Sequence, residues 1–191
     1  MSARDPVGST WSTRSIVRTM FPILVGLSVL EMGSGLVLET LEETYLGNPT
    51  LLVMVPVMIA MGGNLGAIMS SRLSTRLHLG LLSFRPDDRG LLVDVLAIIA
   101  LAATVFALLG VATYAIGLAA YPGHPGLAEL LVVSLVTGMS LAVLAVSLAI
   151  AATWISYRMG LDPDDTTIPV VTNTCDILGV VLLSVVATVV L

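Results

Sequence analysis

Apolar residues fall in five long runs, at 20–38, 51–69, 91–120, 127–154 and 168–191, separated by short polar connections. None alternates with period two, so the strands of a membrane barrel are excluded. A hydrocarbon core about 30 Å thick is crossed by about 20 mainly apolar residues in helical form. In lipid, each backbone amide must be satisfied within its own segment, which leaves the helix as the form of all five runs. The expected fold is therefore all-α, a polytopic bundle of five transmembrane helices. The connections at 39–50, 70–90, 121–126 and 156–167 carry Asn-Pro, Arg-Pro-Asp-Asp and Pro-Gly turns, and none has room for a second soluble domain. Residues 1–15 are expected to be a flexible cytoplasmic tail and 16–191 the membrane domain. No small-residue cleavage site marks a removed signal peptide.

Composition agrees with this pattern. Of the 191 residues 57% are hydrophobic and 11% charged, roughly half the charged share of soluble domains. The net charge is −5 and lysine is absent, so there is no basic stripe for nucleic acid. Cys175 is the single cysteine, which excludes an internal disulfide and a CxxC motif. Arginine placement then orients the chain, because basic residues accumulate in short cytoplasmic loops. Arg4, Arg14 and Arg18 precede the first span, Arg72, Arg76, Arg85 and Arg89 lie between the second and third, and Arg158 follows the fourth. The N-terminus is thus expected in the cytoplasm and the C-terminus outside, in a multi-pass protein of the cell membrane. Glu39, Glu42 and Glu43 fall on the outer side, an acidic rim that would concentrate cations.

An ionisable group at membrane depth is costly, about 2.5–3.5 kcal/mol on insertion scales, and therefore points to function. In the fifth span Pro169, Thr172, Asn173, Asp176 and Gly179 recur at spacings of three and four, which places them on one helix face. Asp176 is the strongest candidate for holding a cation, with Thr172 and Asn173 beside it. The second span carries small residues at the same spacing, a packing seam, and within it Met-Gly-Gly-Asn at 61–64. The two glycines are expected to loosen the helix and free carbonyl oxygens near Gly63, with Asn64 adding another; such oxygens suit Mg²⁺ or Ca²⁺. Glu31 and Glu42 are eleven residues apart, close to three turns of one continuous helix, and so describe an acidic track leading inward. Asp94 reads as a structural carboxylate in the first turn of the third span, where the helix dipole favours it. Ser134, Gly138, Ala142, Ala145, Ala149 and Ala152 read as a packing seam, and Trp154 and Tyr157 near Arg158 as an interface anchor. His78 and His124 read as solvated loop residues.

The stretch Pro56-Val-Met-Ile-Ala-Met-Gly-Gly-Asn64-Leu-Gly, continuing to Ser71-Arg-Leu-Ser-Thr75, resembles the second span of MgtE magnesium transporters and of the related eukaryotic magnesium solute carriers. Glu-Glu-Thr at 42–44, Gly160-Leu-Asp-Pro163 and Ile168-Pro169 followed by Asp176 resemble the same family. The resemblance implies a pair of such domains, a homodimer or a heterodimer with a sister chain. It implies an ion path lined by the second and fifth spans, and hydrated Mg²⁺ held by Asp176 with Asn64 from the second span. The cytoplasmic regulatory region of bacterial MgtE is not in this sequence.

Dimeric Mg²⁺ transport is therefore the leading expectation, with the bilayer and a second copy as partners. An exchanger driven by H⁺ or Na⁺ would use the same carboxylates. An intramembrane metal enzyme built on Asp94 and Asp176 has little support, since no HExxH, Ser/His or Cys/His arrangement is present. A non-transporting assembly subunit would tolerate apolar replacement of Asn64 and Asp176.

Overall fold

The computed structural model describes residues 13–40, 42–85 and 87–191. Among them six helices follow in order: α1 (Thr13–Thr40), α2 (Glu42–Gly47), α3 (Pro49–His78), α4 (Arg89–Ala120), α5 (Leu127–Arg158) and α6 (Pro163–Val190). All but the short α2 are long and apolar enough to cross a membrane, so the all-α, five-span reading holds. Of the expected tail, residues 1–12 lie outside the described residues, and Thr13–Ser15 already belong to α1.

The helices outrun the apolar runs. α3 continues past Met69 to His78, and α6 begins at Pro163 rather than at the first apolar residue. A helix end that projects beyond hydrocarbon becomes polar without losing its hydrogen bonds, so hydropathy alone ends too early. Local chemistry sets the true starts. Pro49 and Pro163 occupy first-turn positions, where the missing N–H costs nothing. Asp88 caps α4 by accepting the Leu91 N–H at 3.0 Å, and Asp162 caps α6 by accepting the Asp164 N–H at 3.0 Å. Gly160, at φ 68°, turns the chain from α5 into α6 within four residues.

α5 and α3 form the centre, and α6 packs against both, with α4 against α5 and α1 mainly against α6. The seam on α5 is as expected over most of its length: Ser134, Gly138, Ala142, Ala145 and Ala149 are buried, and Ala152 is half-buried against the core. A Cβ at Gly138 would overlap the Phe106 ring of α4, and the Ser134 hydroxyl donates to the Phe106 carbonyl at 2.6 Å. Leu141, also on α5, fills the hollow left by Gly62 on α3 and Gly179 on α6. At the arginine-rich surface the Arg158 guanidinium lies 4.3 Å from the Trp154 ring, which fits an interface anchor.

Asp94 is buried, with its side chain 3% exposed, and its setting corrects the helix-dipole reading. It lies beyond the first turn of α4, which starts at Arg89. Arg72 and Arg76 of α3 hold it instead, Arg72 through its Nε at 2.7 Å and Arg76 through Nη1 at 3.3 Å. Arg76 also donates to Asp88 at 2.9 Å. The Leu91 and Ser83 backbone N–H groups, with the Ser83 hydroxyl and Arg76, hold the Asp88 carboxyl down at about 2, against an ordinary 3.8.

Two outcomes follow. Gly138→Ala should lower stability by about 1–3 kcal/mol, the usual cost of overpacking, as read by unfolding of the purified protein in detergent. Because the folded Asp88 pKa is depressed, its contribution is complete above pH 3.8 and is lost as pH falls toward about 2. Asp88→Asn, which still caps the helix, should flatten the stability loss over that interval in acid titrations.

Candidate cation site

α6 is interrupted chemically by Pro169, which lacks an N–H and so leaves one carbonyl of the preceding turn without its helical partner. Side chains in the following turn bond back to the same stretch. Thr172 donates to the Ile168 carbonyl at 3.0 Å and the Pro169 carbonyl at 3.2 Å, Asn173 Nδ2 to the Pro169 carbonyl at 2.9 Å, and Thr174 to the Val170 carbonyl at 2.7 Å. The helix stays continuous through this polar segment. One turn further, half-buried Asp176 faces α3.

The glycines of α3 do not loosen it. α3 is an unbroken helix from Pro49 to His78, so its carbonyls at 62–63 are not freed, and the expectation of a loosened backbone is corrected. Their role is close approach instead. A Cβ at Gly63 would stand 3.2 Å from Asp176 Oδ1 and 3.6 Å from Thr172 Cβ, and one at Gly66 would collide with Val171. The packing seam expected of this span therefore holds, and what the sequence does not show is that the group filling the space at Gly63 is Asp176 of another helix. Asn64, the next residue, is exposed beside this junction.

Glu31 of α1 lies near enough to Asp176 for the two carboxyl groups to interact. Two carboxyl groups set this close at membrane depth are candidate cation ligands. The structure thus brings together Gly63, Thr172, Asp176 and Glu31, with Asn173 on the same stretch of α6. Asp94 stands apart: its partner Arg72 is nine residues beyond Gly63 on α3, about 13 Å along the helix. A shared Asp94–Asp176 centre is not formed.

The expected acidic track is broken in one respect. Glu42 is not on the helix of Glu31, because α1 ends at Thr40 and Glu42 opens α2. Glu39 and Glu42 are nevertheless both exposed and border one cavity of about 330 Å³, together with Gly35, Leu38 and Tyr45. The Glu43 side chain lies outside the described residues. α2 is fixed by Tyr45, which is 2% exposed and shares a 2.6 Å hydrogen bond with Ser184 of α6. Burial pushes the Tyr45 phenol above its ordinary value, against the opposing pull of Ser184. His124 is not a free loop residue: it packs edge-on against Tyr114, with centroids 5.3 Å apart, and lies over Gly117.

A five-span helical membrane protein with paired carboxyl groups at mid-helix and an acidic vestibule at one end belongs among ion-handling membrane proteins. Comparison with known families makes this specific. Residues 55–186 match the MgtE family, described as divalent cation transporter, and the chain belongs to that family, whose members are transporters rather than enzymes. No curated protein matches the sequence.

Because Gly63 spaces α3 from Asp176, Gly63→Val should displace the carboxylate. We expect divalent-cation affinity to fall about tenfold, equivalent to ~1.4 kcal/mol, measured by titration of the purified protein.

Proposed function

We propose that the chain carries Mg²⁺ across the cell membrane as a dimer, along a path lined by α3 and α6. The observation that carries this reading is the Asp176 carboxylate seated against Gly63 of α3 and facing Glu31. Its neighbours offer oxygen atoms, the ligands that Mg²⁺ takes, and Mg²⁺ sheds its water reluctantly. Asp176 is only half-buried and Asn64 is exposed beside it, so one copy encloses the ion on one side. A second copy, identical or a sister chain, completes the enclosure, with Asp176 of each holding a largely hydrated ion.

In this reading Glu39, Glu42 and Glu43 gather cations on the outer side and Glu31 lies along the path. Thr172 and Asn173 add oxygens below Asp176, toward the cytoplasm. Binding must stay weak enough for release, which a hydrated ion held by few direct ligands satisfies. The same carboxylates also allow a second reading, a carrier that exchanges the cation for H⁺ or Na⁺, since carboxylates at membrane depth serve as proton relays. Flux into proteoliposomes separates the two: Mg²⁺ entry without counter-movement of protons excludes exchange.

The direct test is growth and Mg²⁺ uptake by a magnesium-starved, transport-deficient host. The wild-type chain should rescue it, and Asp176→Asn should not, despite equal amounts in the membrane. Equal rescue by both would overturn the assignment.

A further inference from the structure

At the arginine-rich end, α3 and α6 meet again. His78, the last residue of α3, lies 3.8 Å through Nε2 from Oδ1 of Asp162, the cap of α6. One ligand atom each of His78, Asp162 and Asp164 falls within 4.8 Å of the others. All three are exposed, and His78 and Asp162 border an open cavity of about 420 Å³ together with Tyr157 and Gly160.

The two carboxylates alone have a structural explanation, since acidic groups are favoured at a helix N-terminus. The imidazole does not share it. Its Nδ1 lies 2.9 Å from the Ser74 carbonyl, one turn back on α3 and outside the cluster. A carbonyl only accepts, so Nδ1 donates to it, and Nε2 is the ring atom left turned toward the carboxylates. The 3.8 Å between Nε2 and the Asp162 carboxylate is too long for a hydrogen bond and leaves room for a shared ion. An ion at about 2.0–2.2 Å from each atom, the usual distance for nitrogen and carboxylate ligands, spans 3.8 Å with an obtuse ligand–metal–ligand angle. A backbone carbonyl on the far ring nitrogen is also the arrangement by which metal-binding histidines are commonly oriented.

We propose that His78, Asp162 and Asp164 form a second divalent-metal site, separate from the Asp176 centre. One imidazole and two carboxylates suit Zn²⁺, Co²⁺, Ni²⁺ or Mn²⁺ in preference to Mg²⁺, which takes oxygen ligands. The site ties the end of α3 to the start of α6. His78 is fifteen residues beyond Gly63 and Asp162 fourteen before Asp176, so it lies about 21–22 Å along both helices from the contact at membrane depth. Occupancy fixes the separation of these two helix ends and therefore bears on how α3 and α6 move against each other.

The test is titration of the purified full chain in detergent with Co²⁺ near pH 7.5, followed by visible d–d absorption and by thermal stability. Wild type should bind and gain stability. His78→Gln and Asp164→Asn should each weaken Co²⁺ binding at least tenfold, with elution volume and helical content unchanged. Asp162→Asn, which retains an N-cap, should do the same. Asp176→Asn should leave this binding intact, so loss of the transport reading and loss of this site are distinguishable. Co²⁺ binding that is absent in wild type, unchanged by His78→Gln and Asp164→Asn, or abolished by Asp176→Asn alone would overturn the proposal.

Discussion

The close approach of α6 to α3 is the constraint on which the rest of the molecule depends. Lipid tails are as apolar as leucine, so helices in a membrane gain little from hydrophobic contact and associate where small residues let backbones come near. Here Gly63 and Gly66 on α3 admit Thr172, Asp176 and Val171, and Gly179 on α6 brings that helix against Ile59. Leu141 of α5 fills the hollow between Gly62 and Gly179 and so locks the pair from behind. With one side of Asp176 covered by backbone, the carboxyl group is left with the directions of Glu31 and the open face beside Asn64.

Two further polar clusters stand at the two ends of the helices. Asp94 is a buried carboxylate whose charge is met by two arginines, and removing either partner of such a group leaves an uncompensated charge. Arg72 is more than half exposed, so solvent weakens its share, and Arg76 does more to tie α3 to α4 through both Asp94 and Asp88. At the other end a single hydroxyl pair, Tyr45 with Ser184, seats α2 on α6. α1 touches little besides α6 and α2, so the position of Glu31 depends on one helix–helix seam.

Much of this was legible along the chain, because hydrophobic period and length report what a membrane demands of each segment separately. The five spans and the Ser134–Ala149 seam needed no knowledge of neighbours. What a segment meets in space was not legible. Asp94 was read from its own helix, whereas its partners lie 18 and 22 residues away on α3. Gly62 and Gly63 were read both as part of a packing seam and as a local weakness of the helix; the seam holds, but that Leu141 and Asp176 fill it was not legible. The Glu31-to-Glu42 track assumed one helix, and the break between α1 and α2 moved Glu42 onto a separate element. His78 looked like a loop residue because a helix emerging into water has the polarity of a loop; its spacing from Ser74 was the available signal.

The side chains below Asp176 have one more consequence. Thr172, Thr174 and Asn173 each spend a hydrogen on a carbonyl of their own helix. A hydroxyl that has donated its only hydrogen can still accept, so Thr172, one turn before Asp176, is left with an acceptor oxygen. The backbone bonding around Pro169 thus sets which atom this side chain can offer to anything that approaches the Asp176 carboxyl group.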